Sequence, residues 1–348
     1  MDTVHLSIIP FVLAMVVSAV STPIVIFFYK SFGWVVDPNK TKHPGHTHIE
    51  PVPKGGGIPV LLGTLAAAVV LLAFDVKLAA ILAAGSLAVL VGTLDDIWDI
   101  NPYFRLITNL LVAVMVVSVG VGVGFVTNPL TGGVWVWDKW MGVLFTLLWI
   151  PFVMNAINWS KGLDGQMPGV VVVAAIVIGL LSFKYSADIT QWPVAILAFA
   201  VAGAYAGYLP FNIYPQKSMP GYGGGSFAGF MLATLAILST TKVGTALVVL
   251  GIPLIDSIFI GVRRIMSGKS PVWGDKGHLH HKLLALGWSK RKVAAFYWLT
   301  TAILGAVALN LNSKQKFYTM VVVSLILGSF GLWISFGHSF RRRGRDNG

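Results

Sequence analysis

Apolar residues come in long, nearly uninterrupted runs along this chain, separated by polar segments. A membrane-spanning helix needs roughly 20 such residues, and eleven runs approach that length. They cover residues 4–29, 56–74, 77–94, 106–126, 141–158, 168–183, 192–209, 224–239, 242–260, 292–311 and 317–336. The pattern predicts an all-α polytopic membrane helical bundle of eleven transmembrane helices.

The composition agrees with a membrane protein. Hydrophobic residues make up 56% of the chain and charged residues 11%, with a mean hydropathy of +0.79, outside the usual soluble range. There is no cysteine, which excludes disulfides, thiolate nucleophiles and thiolate metal sites. No basic segment precedes the first run, so we interpret it as a span and not as a removable signal peptide.

The positive charge predicts how the chain crosses the membrane. The formal net charge is +12, and most Lys and Arg residues fall on the connections that are inward when the N-terminus is outside. The outward connections hold only Lys77, Lys139, Lys184, Lys242, Lys314 and Lys316. Lys and Arg favour the cytoplasmic side, which puts the C-terminus in the cytoplasm. Topology and attraction to anionic lipid explain the basic excess without nucleic acid.

Scarce carboxylates cluster at the end of the third run, in GTLDDIWDINPYFR. Asp95, Asp96 and Asp99 lie within five positions, in a chain with 13 acidic residues. On a continuing helix Asp95 and Asp99 share a face. Adjacent carboxylates repel unless a cation compensates, and Mg²⁺ is the natural oxygen-bound candidate. A solvated helix end is the alternative. Asp256, deep in the ninth run, is the main exception to the location of acids at the inner boundary.

The fifth run ends in NAINWSKGLDG, where Asn155, Asn158, Lys161 and Asp164 recur at every third position. This spacing lines polar groups along one helical edge if the helix continues. A helix cap followed by turn residues is the alternative.

A glycine-rich segment, GYGGGSF, opens the eighth run and contains Gly224, Gly225 and Ser226. Glycine lets backbone N–H groups approach an anionic oxygen, and a helix N-terminus favours negative charge. The segment is therefore a candidate phosphate cradle, with a plain hinge as the alternative.

The longest inward loop contains DKGHLHHKLL, with His278, His280 and His281, and follows Arg263 and Arg264. This concentration of cationic side chains favours an anion-binding surface over a zinc site. An amphipathic interfacial segment is the third alternative. The first inward loop, DPNKTKHPGHTHIEPVPKGGG, is rich in Pro and Gly, which predicts an irregular loop. Lys54 is its candidate ligand contact.

Together these groups place carboxylates, cations and glycine-rich helix starts beside membrane spans. Positioning and charge neutralisation carry most of the catalysis in phosphoryl transfer, so the pattern indicates phosphoryl transfer with a lipid as one reactant. A transporter is the rival class, and it predicts ionisable residues near the bilayer midplane. A non-catalytic protein that binds lipid and nucleotide is the other alternative.

The chain resembles the polyprenyl-phosphate N-acetylhexosamine-1-phosphate transferases over residues 20–300. LDDIWDINPYFRL is similar to the family's Asp-Asp motif, and NAINWSKGLDG to its Asn/Asp-Gly-Leu-Asp-Gly motif. DKGHLHHKLL is similar to its His-x-His-His loop and favours the N-acetylglucosamine-1-phosphate branch. The resemblance implies transfer of a sugar 1-phosphate from a UDP-sugar to polyprenyl (undecaprenyl) phosphate, which gives polyprenyl diphosphate sugar and UMP. That reaction is a first membrane step of cell-envelope glycan synthesis.

By motif, the resemblance implies that Asp95, Asp96 and Asp164 are catalytic and hold Mg²⁺, with Mn²⁺ as the alternative ion. It implies substrate-binding roles for Lys54, Asp99, Asn158, Lys161, Gly224, Gly225, Ser226, Arg263, Arg264, His278, His280 and His281. We expect one transmembrane catalytic domain over residues 1–340 and a basic cytoplasmic tail over 341–348. We also expect a site on the cytoplasmic face of the plasma (inner) membrane, and a homodimer stays open.

Two positions depart from the family's pattern. The family usually reads Gly-Asp-x-Gly-Ser before the eighth span, whereas GYGGGS has no carboxylate. Lys161 stands where the family usually has the first Asp of Asp-Gly-Leu-Asp-Gly. Three alternatives stay open: the metal is held by Asp95, Asp96 and Asp164, Lys161 partly replaces it as a phosphate clamp, or the chain binds its ligands without catalysis.

Overall fold

The computed structural model describes residues 3–37, 50–128, 131–184, 187–239, 243–270 and 277–346, with side chains as far as residue 329. Within these ranges the chain is mainly helical. The helices are α1 (Ile9–Ser31, after a π-helical turn Val4–Ile8), α2 (Gly57–Leu71), α3 (Val76–Trp98), α4 (Pro102–Ser118), α5 (Lys139–Trp159), α6 (Gln166–Lys184), α7 (Gln191–Asn212), α8 (Gly221–Leu238), α9 (Val243–Val249), α10 (Gly251–Met266), α11 (Leu279–Ala285), α12 (Lys290–Asn310) and α13 (Ser313–Asp346).

Two short antiparallel hairpins accompany the helices. The first pairs β1 (Val35–Val36) with β2 (Val52–Pro53), and so joins the two sides of the first predicted loop. Its middle residues, 38–49, lie outside the described ranges. The second pairs β3 (Phe125–Thr127) with β4 (Val134–Val136) in the connection between α4 and α5.

The helices are those of a multi-pass membrane protein. Among the described residues, seven helices are long and apolar enough to cross a membrane, and the bent pair α9–α10 raises the number to eight if it forms one span. Helices α2 and α4 are also apolar but have only 15 and 17 residues. Large apolar side chains of α1, such as Val12, Val16, Val20 and Ile24, are exposed at spacings of four. Such an apolar stripe suits contact with lipid chains.

Helix α8 lies at the centre of the bundle, against α3 and α5. Every residue from Gly221 to Ile237 is buried. The packing is close at its N-terminus, where Gly92 of α3 lies against Gly223, and a Cβ on Gly57 of α2 would come within 2.7 Å of the Gly224 nitrogen. The glycines therefore bring three helices together at one end of α8.

Three predicted element boundaries are wrong, each for a local reason. Helix α4 ends at Ser118 because Gly120 takes a positive φ of 82°. The ninth apolar run is not one straight helix: α9 and α10 meet at 83°, where Gly251 and Pro253 disrupt regular helix packing. Helix α3 extends beyond the predicted end at residue 94 and stops at Trp98, because Asp99 is left-handed (φ 49°), so no continuing helix puts Asp95 and Asp99 on one face.

The fifth predicted helix is also shorter than the polar spacing would need. Helix α5 ends at Trp159, and the chain turns through residues 160–165 before α6 begins. Lys161 and Asp164 therefore do not continue a helical edge with Asn155 and Asn158. The turn lies beside the C-terminus of α3 and the N-terminus of α8, so the polar segments meet at one end of the bundle.

Candidate active site

The carboxylate of Asp95 is neutralised by an arginine. Asp95 is only 5% exposed, and its Oδ1 lies 2.6 Å from Nε of Arg105 and accepts a hydrogen bond from the Ile100 nitrogen at 3.0 Å. Nη2 of Arg105 also donates to Asp99 at 2.9 Å. Asp99 is off the helix, and its side chain is 91% exposed. Arg105 therefore joins the two carboxylates that were predicted to share a helix face.

Asp96 holds the start of α8. Its Oδ1 accepts a hydrogen bond from the Tyr222 nitrogen at 2.8 Å, and its Oδ2 a longer one from Gly223 at 3.4 Å. These N–H groups belong to the predicted phosphate cradle, so a carboxylate of the chain itself already satisfies them. The cations with the strongest electrostatic effect on Asp96 are Lys161 and then Lys54.

Gly224, Gly225 and Ser226 are all buried within this helix start. A Cβ on Gly225 would collide with the side-chain oxygen of Asn158. This close approach allows Asn158 to donate a hydrogen bond from Nδ2 to Oγ of Ser226 at 2.6 Å. The glycines serve helix packing here, and their contact with a substrate stays a prediction.

Lys161 connects this helix start to the turn after α5. Its ammonium donates to Oδ1 of Asn158 at 2.9 Å and lies 5.3 Å from the centre of the Tyr222 ring, while Arg105 lies 5.2 Å from it. Burial lowers the pKa of Lys161 to about 8, against the opposing charge of Asp96 and with the repulsion of Lys54. The site thus contains a lysine that loses its charge near neutral pH more readily than an exposed one.

Asp164 faces a different set of partners. It is 3% exposed, its Oδ1 lies 3.5 Å from Nζ of Lys290, and its Oδ2 accepts a weak bond from the Gln216 nitrogen at 3.4 Å. Lys290 also lies 4.9 Å from the Tyr214 ring centre. Asp164 is thereby held by the start of α12 and by the segment before α8.

The predicted metal ligands do not form one set. In the part of the chain that the structure describes, no three His, Asp or Glu side chains are grouped so that they could hold a metal ion. Asp95 pairs with Arg105, Asp96 with the start of α8, and Asp164 with Lys290. The trio Asp95, Asp96 and Asp164 therefore does not fit a shared Mg²⁺ ion in this arrangement.

The three histidines adjoin the lysine turn but differ in exposure. His278 is 6% exposed and His280 only 1%, whereas His281 is partly exposed. The His280 ring packs directly against Gly162, next to Lys161. Burial, with the charges of His281 and His278, lowers the pKa of His280 well below its usual value. A neutral, buried His280 differs from the cationic, anion-binding surface that the sequence predicted for these histidines.

The two predicted arginines lie at the end of α10. The Arg263 guanidinium packs against Gly277, directly before His278, so it adjoins the histidines. Arg264 donates from Nε to the Ser270 carbonyl at 2.8 Å, which ties it to its own loop. Asp275, Lys276 and the histidines of the first loop lie outside the described residues.

Four contributors to this region were not among the predicted site residues: Arg105, Tyr222, Lys290 and Asp256. Arg105 had a signal, because Asn101 and Pro102 mark a new helix start and put Arg105 in its first turn. Asp256 was noted only as a deeply placed acid, and Lys290 was not singled out. Their pairing with His278 and Asp164 depends on tertiary contacts.

The contacts define a class: a multi-pass membrane protein whose charged and polar groups meet at one end of its helix bundle, around the start of α8. A family model described as glycosyl transferase family 4 matches residues 78–240. The decaprenyl-phosphate N-acetylglucosaminephosphotransferase of Mycobacterium leprae (strain TN) is 30% identical over 315 residues, which cover 81% of this chain and 78% of the relative.

Two further relatives agree over more of the chain. The probable undecaprenyl-phosphate N-acetylglucosaminyl 1-phosphate transferase of Bacillus subtilis (strain 168) is 26% identical, across 92% of this chain and 89% of the relative. The undecaprenyl-phosphate alpha-N-acetylglucosaminyl 1-phosphate transferase of Escherichia coli (strain K12) is 26% identical, across 87% and 83%. The chain belongs to glycosyl transferase family 4, the polyprenyl-phosphate N-acetylhexosamine-1-phosphate transferases that its motifs resemble.

Proposed function

We propose that this protein transfers an N-acetylhexosamine 1-phosphate from a UDP-sugar to polyprenyl phosphate and releases UMP. The observation that carries the proposal is a row of charged and polar groups. Asp95 pairs with Arg105, and Arg105 and Lys161 both lie over the Tyr222 ring. His280 packs against Gly162, the next residue after Lys161. That row lies where apolar helices end, so a soluble nucleotide and a membrane lipid phosphate can both reach it. The relatives named above are phosphotransferases with polyprenyl phosphates in their names.

The reaction needs two anionic phosphates to meet. An oxygen of the lipid phosphate attacks the sugar-linked phosphorus of the donor, a new P–O bond forms, and the bond to UMP breaks. The lipid phosphate is largely dianionic at neutral pH because its second pKa is about 6, so a dedicated base is not required. Neutralising the charge is the main task, and Lys161, Lys54 and Arg105 are the groups of this chain suited to it.

The carboxylates then have a supporting task. Asp95 lies beside a cation, and carboxylates orient and retain such cations in an apolar surrounding. Asp95 holds Arg105, and the Asp96 charge favours the ammonium form of Lys161. Mg²⁺ or Mn²⁺ stays a prediction that rests on the resemblance, because the three expected ligands do not share a site here.

The orientation of the site belongs to the same proposal. Lys and Arg are concentrated on the connections at the site end of the bundle, which supports a site on the cytoplasmic face of the plasma membrane. We propose eleven spans, in which α2, α4 and α13 cross in addition to the seven helices and the bent pair α9–α10 counted above. The N-terminus is then outside and the C-terminus in the cytoplasm.

The decisive experiment is UMP release by the purified protein in lipid nanodiscs with polyprenyl phosphate, Mg²⁺ and a panel of UDP-sugars. We expect UMP with at least one UDP-N-acetylhexosamine, and none without the lipid phosphate. Asp95→Asn should abolish turnover while the protein stays folded. A protein that binds UDP-sugar and releases no UMP from any donor would instead be a binding homologue, and the proposal would be wrong.

A further inference from the structure

Asp256 makes two hydrogen bonds that lead to the histidine segment. Its Oδ2 lies 2.7 Å from Nδ1 of His278, and its Oδ1 accepts a bond from the Leu279 nitrogen at 3.0 Å. Both side chains are largely buried, at 16% exposure for Asp256 and 7% for His278. One carboxylate of α10 thus fixes both the ring of His278 and the first turn of α11.

The His278 ring is confined on its other sides. It stacks on the His280 ring, with centres 5.6 Å apart and planes within 5°, and the Trp159 ring centre is 6.1 Å away. His280 in turn packs against Gly162, beside Lys161. The contacts of Asp256 are therefore the first step of a packed row that ends at Gly162, the next residue after the proposed phosphate-binding lysine.

We propose that Asp256 is a positioning residue for the transfer reaction: it accepts a hydrogen bond from Nδ1–H of His278 and leaves Nε2 as the ring nitrogen that accepts a hydrogen bond from a hydroxyl group of the donor sugar. The inference rests on the proposed function. A carboxylate on one imidazole nitrogen fixes the direction and the tautomer of the ring, and so determines what the other nitrogen can do. Since Asp256 follows the bend between α9 and α10, that bend sets the place of His278.

A purely structural role is the competing explanation, because Asp256 also caps α11. The substitution Asp256→Asn separates the two roles. An ionised carboxylate offers two accepting oxygens, whereas an amide offers one oxygen and one donating nitrogen. Asparagine can still accept from Leu279, but its NH₂ group then faces Nδ1 of His278 and demands the opposite tautomer.

The experiment compares the full-length protein with Asp256→Asn, His278→Gln and the double variant in nanodiscs, at saturating polyprenyl phosphate. We expect kcat to fall about 10- to 100-fold in Asp256→Asn, the range for lost partners of functional histidines, with little change in KM for the donor. The double variant should be no slower than His278→Gln alone, because the residues act as one unit.

The matched control is Asp75→Asn. Asp75 also caps a helix, since its side chain accepts a bond from Leu78 at 2.7 Å at the start of α3, at the opposite end of that helix from Asp95. This variant should keep the wild-type kcat. If Asp256→Asn also keeps it, or if its effect multiplies with that of His278→Gln, Asp256 is only a cap and the inference is overturned.

A second measurement does not depend on turnover. In protein labelled with ¹⁵N-histidine, the His278 signals, assigned by their loss in His278→Gln, should change tautomer pattern in Asp256→Asn and not in Asp75→Asn. Unchanged signals would overturn the inference even if activity fell. A wild-type protein that releases no UMP from any UDP-sugar would defeat the proposed function itself, and with it this role for Asp256.

Discussion

At the scale of single residues, Lys161 is the most informative position of the site. Its ammonium contacts Asn158 and the Tyr222 ring, and the charge of Asp96 favours its ammonium form. Lys161 is therefore a buried cation that is suited to bind an anion. The resemblance puts an acid at this position in other family members. The exchange of an acid for Lys161 changes the local charge by two. We therefore expect both the pH dependence and the metal dependence of the activity to depend on this residue.

The first prediction concerns pH. Burial lowers the pKa of Lys161 to about 8, so the charged form is present below that pH and is lost above it. We expect kcat/KM for the donor, which reports the free enzyme, to fall by up to about tenfold per pH unit above pH 8. Lys161→Arg should lack this fall, because arginine stays charged. Identical alkaline profiles for the two proteins would show that Lys161 does not bind the donor.

The second prediction concerns the metal. Lys161→Asp adds a carboxylate beside Asp96 in place of the cation, and such a pair favours a divalent ion. We expect turnover to fall at low Mg²⁺ and to recover in part as Mg²⁺ is raised. Lys161→Asn, which removes the charge without adding an acid, is the control and should recover less. The assignment fails if the wild type and both variants respond to Mg²⁺ alike.

The third prediction concerns Arg105. Asp95 is buried, so Arg105→Gln leaves it without its cation, and breaking a largely buried pair costs about 3 kcal/mol. Asp99→Asn removes only an exposed partner and should cost under about 1 kcal/mol. Thermal unfolding in nanodiscs measures both. If Arg105→Gln is as stable as Asp99→Asn, the Arg105–Asp95 pair is not a structural element of the site.

At the scale of helices, hydropathy located the spans but not their ends. The runs predicted at 77–94 and 141–158 correspond to α3 and α5, which extend to Trp98 and Trp159. Helix ends depend on caps and on left-handed residues such as Asp99, which hydropathy does not sense. The bend before α10 was hidden for the same reason: an apolar run looks alike whether it is straight or bent, and only Gly251 and Pro253 mark it.

The fourth prediction concerns the contact between α3 and α8. Gly92→Ala would place a methyl group on the backbone of Gly223 and push apart the helices that join Asp96 to Tyr222. We expect a loss of about 1–3 kcal/mol, as for other overpacked positions, together with reduced turnover. Gly261→Ala in α10 is the control, because a Cβ there meets no atom within 4 Å. It should be neutral or slightly stabilising, and equal effects of the two substitutions would contradict a tight helix contact.

At the scale of the whole molecule, the sequence predicted the common end of the bundle but not the pairing within it. The location of Asp95, Asp96, Lys161 and the histidines follows from where apolar runs stop, because the ends of antiparallel neighbours meet. Which cation pairs with which acid depends on turns of a few residues. Because of the turn through 160–165, Asp164 lies beside Lys290 and not beside Asp95. The spacing of polar residues in the sequence does not predict this pairing.

The last prediction concerns the direction of the whole bundle in the membrane. Because the chain has no cysteine, single cysteines can be introduced without background. Ser267→Cys lies just after α10, at the site end, and Thr131→Cys lies in the connection that carries the β3–β4 hairpin. If the site faces the cytoplasm, a membrane-impermeant maleimide added to intact cells should label Thr131→Cys alone, whereas opened membranes should label both. Labelling of Ser267→Cys in intact cells would reverse the orientation, and the UDP-sugar of the cytoplasm would then have no access to Lys161.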